Sequence, residues 1–545
     1  MLVCEYIAEY LKKHGISVVF GYQGGNISFC IDAIKRTEGI EFIETRHEQA
    51  ASFAANGVAL CMQGKGCAVA SSGPGAINLL TGVANAWFDS LPVIFIVGDV
   101  SAYQGKTNAR QDAFQAAPIT EAARPFCKYT SHIRSPEVVK IELDRAMQAM
   151  ENGRPGPALL SIAHFVQRSN MPLSVQEISE SHTESNTALD SSAKELVFKK
   201  LSVAQRTIML LGGGAEKYKN VLSQFLSHVP MPVVCSLRGL NAIDHTYKFY
   251  SGMIGDYGHR RSNRLLAESD CVIVLGARLD ERQTWAIKKY NPSLNIIHAD
   301  YDPAELYPAS DTYLPLHCDI SYLVDILSDY SWNVDSLTAW GEYAKGLEAK
   351  YPLFPGVDSV NSFLSKLSMC LPENTTCFAD VGLNQMLVAQ NLFLSSGKRL
   401  YSSCGLGSMG FAVPAAVGAA VSQKQSTVAF TGDGGLQMSI AELETVVYEK
   451  IPVKIVLLNN NSLGMIKELQ SKIMNGRFYG SVEGYSICSV EKLAEAYGIK
   501  YFNVDWRKDI SEEMKNYLTN SEPVLFELKI SENDLPFPNG PDELF

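Results

Sequence analysis

The sequence predicts an α/β protein of three doubly wound domains, each a parallel sheet with helices on both faces. Short, strongly apolar runs such as PVIFIVGD and PVKIVLLNN alternate with helical patterns along nearly the whole chain. Runs this apolar, bounded by Gly and Pro, are typical of strands buried on both faces. At 545 residues the chain is also too long for one hydrophobic core.

Two stretches without this alternation divide the chain. Residues 168–192 are polar and rich in Ser and Thr, as a linker is, and residues 336–357 lack strand signals and contain YPLFPG. We therefore predict a first domain over residues 1–167, a central domain over 193–335 and a third domain over 358–545.

Ten apolar runs are predicted strands, in chain order. Those of the first domain are VVFGY, GCAVASS, PVIFIVGD and PALLSIA. Those of the central domain are TIMLLGGG, PVVCSL, CVIVLGAR and NIIHAD, and those of the third are STVAFTGDGG and PVKIVLLNN.

Composition excludes several kinds of partner. The net charge is -11, which argues against a large basic surface for nucleic acid. The first twenty residues carry Glu5, Glu9, Lys12 and Lys13 within an apolar pattern, which predicts an amphipathic helix followed by a strand. We therefore expect neither a signal peptide, nor a membrane span, nor a nucleic-acid partner.

The cysteines indicate a reducing compartment. Twelve are present without a C-x-x-C pair, and several, including Cys235 and Cys271, lie inside apolar runs. Buried free thiols of this kind are typical of cytoplasmic proteins, so we predict a cytoplasmic location.

The stretch FTGDGGLQ, residues 430–437, predicts a phosphate-binding turn. An apolar strand ends in the glycines Gly432, Gly434 and Gly435 and a helical pattern follows, which brings backbone N–H groups to one point. Taken alone, GDG is equally consistent with a plain tight turn.

A second strand end supplies more oxygen ligands. PVKIVLL runs into NNNSLG, and adjacent parallel strands open on the same edge of a sheet, so Asp433 and Asn460 can face one site. The Asp433 carboxylate, the Asn460 amide oxygen and the Ser462 carbonyl suit Mg²⁺, with a diphosphate completing the coordination.

This spacing resembles a known family. GDG, 24 residues and then NN is the signature of thiamine diphosphate (ThDP) enzymes. RHEQAASFAANGVAL, SSGPGAINLLTGVANAWFDSLPV and GLGSMGFAVPAAVGAA resemble the acetolactate synthase (acetohydroxyacid synthase) branch. RQDAFQ and the terminal NDLPFPNGPDELF look most like synthase-like members of bacterial surface-polysaccharide gene clusters. The resemblance covers nearly the whole chain.

The resemblance implies roles for residues at the cofactor. Glu48 matches the glutamate that activates the aminopyrimidine, Met409 the wedge that bends the cofactor, and the Gly407 carbonyl an acceptor for its amine. Asn384, like the three glycines of the turn, is expected to bind the cofactor. The plainer alternatives are that Glu48 only begins an alanine-rich helix and that Met409 is a core residue.

On the substrate side, the resemblance matches four residues of the first domain to positions near the reacting atoms. They are Gly25, Phe114, Gln115 and Lys128. A solvated surface lysine is an equally good interpretation of Lys128.

In the central domain, several segments resemble those that hold FAD in acetolactate synthases. The residues expected at this site are Gly213, Gly214, Arg278 and Asp300, with Arg282 placed to meet the carboxylate of an acceptor. A central domain without flavin is the alternative. Leu469, Asn384 and the pair Asp256-Tyr257 depart from the synthase pattern, which predicts a different second substrate.

The favoured hypothesis is a carboligase that decarboxylates pyruvate or a related 2-oxo acid and transfers the acyl unit to a carbonyl acceptor, using ThDP, Mg²⁺ and FAD. The alternatives are a flavin-dependent oxidase, a simple decarboxylase and a scaffold without catalysis. The resemblance implies a homodimer or homotetramer, and the sequence does not indicate whether a regulatory subunit binds.

Overall fold

A computed structural model describes residues 1–62, 64–100, 110–172, 189–352 and 359–531. It confirms the predicted fold class. The chain forms three six-stranded sheets in which every strand pair is parallel, and the orders are β2-β1-β3-β4-β6-β5, β12-β11-β10-β7-β8-β9 and β14-β13-β15-β16-β18-β17, with the bounds given below.

The first sheet is assembled from the N-terminal part of the chain. Its strands are β1 (Val18–Gly21), β2 (Glu41–Glu44), β3 (Gly66–Ala70), β4 (Val93–Asp99), β5 (Tyr129–Ile133) and β6 (Ala158–Ala163). Its helices are α1 (Val3–Lys13), α2 (Ser28–Arg36), α3 (Glu48–Met62), α4 (Pro74–Asn78), α5 (Leu80–Phe88), α6 (Ile119–Ala123), α7 (Val139–Glu151) and α8 (His164–Gln167). Strands β3, β4 and β6 are buried along their whole length, as their apolar runs predict.

The central sheet repeats this arrangement. Its strands are β7 (Thr207–Leu211), β8 (Val233–Cys235), β9 (Tyr250–Met253), β10 (Cys271–Leu275), β11 (Asn295–Asp300) and β12 (Tyr313–His317). Its helices are α9 (Ser191–Ser202), α10 (Lys219–His228), α11 (Arg260–Glu268), α12 (Glu281–Tyr290), α13 (Ile320–Ser328) and α14 (Val334–Gly346). Asp190, Asp280 and Asp319 cap helices by accepting backbone N–H groups of the first turn, which explains where these helices begin.

The third sheet carries the GDGG turn. Its strands are β13 (Thr376–Ala379), β14 (Arg399–Tyr401), β15 (Thr427–Gly432), β16 (Val453–Asn459), β17 (Lys500–Val504) and β18 (Val524–Lys529). Its helices are α15 (Val360–Cys370), α16 (Leu383–Asn391), α17 (Ala412–Gln423), α18 (Asp433–Met438), α19 (Glu442–Tyr448), α20 (Gly464–Ile473), α21 (Val490–Tyr497) and α22 (Glu512–Thr519). Strands β15 and β16 are direct neighbours, so the two motifs that follow them meet at one edge.

Helices α3 and α17 join the first and third units. Gly57 and Gly418 lie where the helices cross, and a Cβ atom at either would overlap the backbone of the facing helix, at Ala415 and Ala54 respectively. These glycines let the backbones approach closely, and the alanine-rich sequences around them form one shared core.

The predicted linkers differ in how far the structure describes them. In the first predicted linker, 168–192, residues 173–188 lie outside the described residues. At the end of the second, 336–357, residues 353–358 also lie outside them. The second, 336–357, begins inside α14 and continues as a short 3₁₀ turn over Leu347–Ala349, so this stretch is largely helical. All twelve cysteines are free, and no described helix combines the length and apolarity needed to cross a membrane.

Candidate active site

Asp433 joins the two loops that follow β15 and β16. Its side chain is 2% exposed, its Oδ1 accepts the N–H of Gly434 at 2.9 Å, and its Oδ2 accepts the N–H of Ser462 at 3.1 Å. Burial raises the pKa of Asp433, whereas these N–H groups lower it. The bond to Ser462 crosses between adjacent strand ends and brings two of the predicted metal ligands together.

Asn460 is the third candidate ligand of the metal ion. Asn459 is occupied elsewhere, since its Nδ2 donates to Glu527 Oε1 at 2.6 Å. Asn461 turns the chain with a φ of 52°, and the Asn460 amide lies against Gly464 at the start of α20. A carboxylate, an amide oxygen and a carbonyl are the ligand types that Mg²⁺ prefers, and this edge of the sheet brings their loops together.

Each glycine of the GDGG turn lies close to a side chain that an added Cβ atom would crowd. A Cβ at Gly434 would lie 2.7 Å from Leu463 Cδ2 and 3.0 Å from Met409 Cε. A Cβ at Gly432 would lie 3.1 Å from Asn384 Oδ1. Met409 and Asn384, far apart in sequence, are therefore both packed on the turn.

Asp380, which the sequence analysis missed, lies under this turn. It is fully buried, and its carboxylate accepts the N–H of Val381 at 2.8 Å, the N–H of Gly410 at 2.9 Å and the hydroxyl of Thr431 at 3.2 Å. A Cβ at Gly435 would lie 2.7 Å from Asp380 Oδ2. One carboxylate thus holds both the turn and the loop that carries Met409. An apolar run followed by Asp-Val-Gly, at the end of β13, is a signal that could have identified it.

The other end of the Met409 loop is held by a second carboxylate, Asp89, at the end of α5. Its Oδ1 accepts the N–H of Gly405 at 2.8 Å, and burial raises the pKa of Asp89 to about 6. Between the two carboxylates, Gly407 has a φ of +76° and open space where a side chain would point. The loop is therefore fixed at both ends and leaves room over Gly407 for a ligand.

Replacing Asp380 by asparagine (Asp380→Asn) is expected to change how stability depends on pH. Burial raises the pKa of Asp380 from its ordinary value of 3.8 to about 6. At pH values between these two pKa values, Asp380 is protonated in the folded chain and ionised in the unfolded chain. The free energy of unfolding therefore falls as the pH rises through this window. One pKa unit corresponds to about 1.4 kcal/mol, so the free energy of unfolding of the wild-type protein falls by about 3 kcal/mol across this window. Asparagine does not titrate, so the variant lacks this fall.

Melting temperatures of both proteins, measured from about pH 4 to pH 7, test this expectation, since the difference between them isolates the substituted group. Asp509→Asn is the matched control because its carboxylate is exposed and pairs with Lys366, and such a surface pair contributes little. A wild-type pH profile in Asp380→Asn would contradict the role given to this carboxylate.

Glu48 lies in a separate part of the chain. It begins α3, its Oε2 accepts Asn78 Nδ2 at 3.0 Å, and a Cβ at Gly75 would lie 2.9 Å from its Oε1. Asn78 and Gly75 belong to the short helix α4, which Gly73 directly precedes. Gln115 packs on Gly73, where a Cβ would lie 3.0 Å from the Gln115 carbonyl oxygen. The structure thus brings Glu48 and Gln115 to the same helix.

The other three predicted substrate residues have different environments. Phe114 is 83% exposed, and Gly25 lies in the loop after β1 with open space above it. Lys128 Nζ donates to the carbonyls of Asn152 and Arg154, the second at 2.7 Å, and burial lowers its pKa. Lys128 thus holds the loop before β6, and neither interpretation from the sequence foresaw this.

A large cavity connects the central sheet with the Met409 loop. Its volume is about 1020 Å³. Its walls include Gly407 and all five residues predicted at the FAD site, namely Gly213, Gly214, Arg278, Arg282 and Asp300. Two buried acceptor atoms on the wall, Asp89 Oδ2 and Gln283 Oε1, have no hydrogen-bond partner in the part of the chain that the structure describes.

Several predicted site residues do not line this cavity. Within the described ranges its walls lack Glu48, Met409, Asp433 and Asn460, and also Leu469, which is half exposed on α20. The contacts described above define two groups of candidate residues, one around Glu48 at α4 and one around Asp433 and Met409 at the GDGG turn.

Comparison with protein families identifies three consecutive matches. Residues 1–119 match the description "Thiamine pyrophosphate enzyme, N-terminal TPP binding domain". Residues 195–327 match the central domain of the same enzymes, and residues 380–528 match their C-terminal TPP binding domain. Each matched region falls on a different sheet, and strands β5, β6 and β13 lie outside the matched ranges.

Curated relatives match over almost the whole chain. The acetolactate synthase isozyme 2 large subunit of Escherichia coli (strain K12) is 32% identical, over 98% of this chain and 97% of the relative. The acetolactate synthase large subunit of Lactococcus lactis subsp. lactis (strain IL1403) is also 32% identical, over 98% and 94%. That of Haemophilus influenzae (strain ATCC 51907 / DSM 11121 / KW20 / Rd) is 30% identical, over 98% and 95%.

Proposed function

Because the chain belongs to the thiamine pyrophosphate (ThDP) enzyme family and is an enzyme of the acetolactate synthase type, we propose that it decarboxylates pyruvate or a close 2-oxo acid and transfers the acyl unit to a carbonyl acceptor. One observation carries this proposal. The Asp433–Ser462 hydrogen bond joins the two loops that carry the candidate metal ligands. These loops lie beside Met409, whose own loop lines the central cavity at Gly407.

The residues fit ThDP and Mg²⁺. Asp433, Asn460 and the Ser462 carbonyl would hold the cation, and the GDGG turn would bind the diphosphate. Met409 would support the bent cofactor, and the Gly407 carbonyl would accept a hydrogen bond from it. When bound, ThDP supplies the electron sink that decarboxylation of a 2-oxo acid needs. Glu48 would hold the proton shared with the aminopyrimidine nitrogen.

We extend the proposal to FAD in the central cavity. A volume of about 1020 Å³ lies at the upper end of the range of about 300–1,000 Å³ usual for ligand pockets, as a dinucleotide requires. Asp89 Oδ2 and Gln283 Oε1 are acceptors that a ligand hydroxyl or N–H would satisfy. Arg278 would neutralise a phosphate, and Asp300 ends β11, at the strand edge where a ribose is bound in many dinucleotide sites.

The proposal also requires a second copy of the chain. The described contacts of Glu48 are with Asn78 and Gly75 of α4, so a homodimer in which Glu48 of one copy meets the cofactor of the other would complete the site. Exposed apolar side chains beside both groups support such an interface, including Ile77 next to Asn78 and Leu406 next to Gly407. A homotetramer would use the same contact twice.

We place the enzyme in the cytoplasm, because its twelve free cysteines, most of them buried, suit a reducing compartment. Small 2-oxo acids and carbonyl compounds are then its partners. Nothing in the described chain bears on a regulatory subunit.

Proton NMR of the purified protein with ThDP, Mg²⁺ and pyruvate, followed over time, tests the function. Loss of pyruvate with formation of acetolactate, acetoin or, with an added acceptor, a mixed product is expected. Free acetaldehyde as the sole product would instead indicate a simple decarboxylase, and bleaching of a bound flavin by pyruvate would indicate an oxidase. Pyruvate and related 2-oxo acids that all remain unchanged, with or without carbonyl acceptors, would contradict the proposal.

A further inference from the structure

The hydroxyl group of Tyr485 lies at the GDGG turn without a hydrogen-bond partner. It is 3.4 Å from the position that a Cβ atom at Gly434 would take. The oxygen is buried, and the part of the chain that the structure describes offers it no partner. A buried hydroxyl of this kind is costly, because it has given up its hydrogen bonds to water. The position therefore suits a ligand atom that completes the missing hydrogen bond.

The loop that carries Tyr485 is fixed against the loop after β16. Leu463, at the end of that second loop, donates its N–H to the Ser481 carbonyl at 3.0 Å. Gln470 of α20 holds the same segment from the other side, since its Nε2 donates to the Tyr479 carbonyl at 2.9 Å and its Oε1 accepts the Ser481 hydroxyl. Ser481 is fully buried. These contacts set the position from which Tyr485 reaches the GDGG turn.

The surroundings of the hydroxyl on the turn are mostly apolar. Of the three atoms nearest to the position of a Gly434 Cβ, two are carbon atoms, Leu463 Cδ2 at 2.7 Å and Met409 Cε at 3.0 Å, and the third is the Tyr485 hydroxyl. The Asp433 carboxylate is close enough to raise the pKa of Tyr485, but the two groups do not meet the geometry of a hydrogen bond. Within the described chain, the hydroxyl therefore remains available to a ligand.

The chemistry of the phenol determines which ligand atom suits it. Burial raises the pKa of Tyr485, and the negative charge of Asp433 raises it further, so the hydroxyl keeps its proton at neutral pH and can donate it. Diphosphate oxygens are anionic acceptors, and hydrogen bonds to charged groups are the stronger kind. A magnesium ion accepts no hydrogen bond and prefers carboxylate, amide and carbonyl oxygens. The diphosphate is therefore the best match among the groups expected here.

We propose that the Tyr485 hydroxyl donates a hydrogen bond to a diphosphate oxygen of ThDP and is thus a binding residue of the cofactor site. This inference rests on the proposed function and adds a residue to its cofactor site. Asp433 and Gly434 follow β15, whereas Tyr485 belongs to the loop after α20. A segment of the third domain that the sequence motifs do not include would then contribute to cofactor affinity.

Replacing Tyr485 by phenylalanine (Tyr485→Phe) tests the inference through binding alone. Calorimetric titrations of the protein in excess Mg²⁺, with ThDP and separately with inorganic diphosphate, measure affinity without turnover. Both affinities are expected to fall at least about tenfold, the effect of losing one hydrogen bond to a charged group. The two losses should be equal, because the ligands share only the diphosphate.

The stability of the variant without ligands separates a binding role from a structural one. The hydroxyl has no partner to lose in the described chain, so the melting temperature of unliganded Tyr485→Phe is expected to stay the same or rise. A residue that only supported the loop would instead lower the melting temperature together with the affinity. Tyr479→Phe is the matched control, because it is the same change on the same loop at a side chain that is 66% exposed. It is expected to leave both affinities unchanged.

Three results would overturn the inference and leave the proposed function intact. They are unaltered affinities in Tyr485→Phe, a loss of affinity confined to ThDP, and a lowered melting temperature of the unliganded variant. Failure of the wild-type protein to bind ThDP in the presence of Mg²⁺ would overturn the proposed function itself and the inference with it.

Discussion

Replacing Glu48 by glutamine (Glu48→Gln) is expected to lower turnover of pyruvate by about 10²–10⁴-fold, the range over which a positioned acid or base contributes to catalysis. Glutamine has nearly the same shape and can still accept a hydrogen bond from Asn78, but it cannot hold the proton at the cofactor. ThDP binding should therefore remain close to that of the wild-type protein. Steady-state turnover and a ThDP titration followed by intrinsic fluorescence measure the two quantities separately.

Glu38→Gln is the matched control, because Glu38 is an exposed glutamate of the same domain and the substitution is chemically identical. It is expected to leave both turnover and affinity unchanged. If Glu48→Gln were fully active, Glu48 would be only the first residue of helix α3, and the assignment would be wrong.

Replacing Asp433 by alanine (Asp433→Ala) is expected to weaken binding of Mg²⁺ and ThDP by at least about 100-fold, because loss of a ligand exceeds the 10–100-fold cost typical of an outer-shell change. The variant also loses the bond that joins the GDGG turn to Ser462. Fluorescence titrations with Mg²⁺ and ThDP measure the loss, and circular dichroism establishes that the protein is folded. Unaltered affinity would show that the cofactor binds elsewhere.

Mixing the two inactive variants tests where Glu48 acts. In a mixed dimer, the Asp433→Ala chain carries an intact Glu48 and the Glu48→Gln chain an intact Asp433. If the site is shared between copies, subunit exchange restores up to about a quarter of wild-type activity, since half of the dimers are mixed and each has one complete site. If both residues act within one chain, mixing restores nothing.

The sequence by itself determined the fold class and the residue types of the cofactor site. Short apolar runs bounded by Gly and Pro and alternating with helical patterns favour strands covered on both faces, so the local pattern predicted parallel sheets. Asp433 and Asn460 were also within reach of sequence reasoning, because each directly follows its strand and adjacent parallel strands end at one edge.

Only the tertiary structure decided how distant segments meet. Asp380 lies 30 residues before Gly410, and Asp89 lies 316 residues before Gly405, so no local pattern links these carboxylates to the loop they hold. The Tyr257–Glu468 bond spans 211 residues and joins the loop after β9 to α20. Lys128 is similar, since its environment depends on the loop before β6 rather than on its own neighbours.

Long-range packing also sets the position of Glu48. The sequence identifies a glutamate at the start of an alanine-rich helix, but the position of that helix is set by the close crossing of α3 and α17, where glycines replace side chains on both partners. Within the described chain, Glu48 then contacts Asn78 and Gly75 of α4. Residue chemistry is a local property of the sequence, whereas the pairing of active groups depends on long-range packing, which only the folded chain determines.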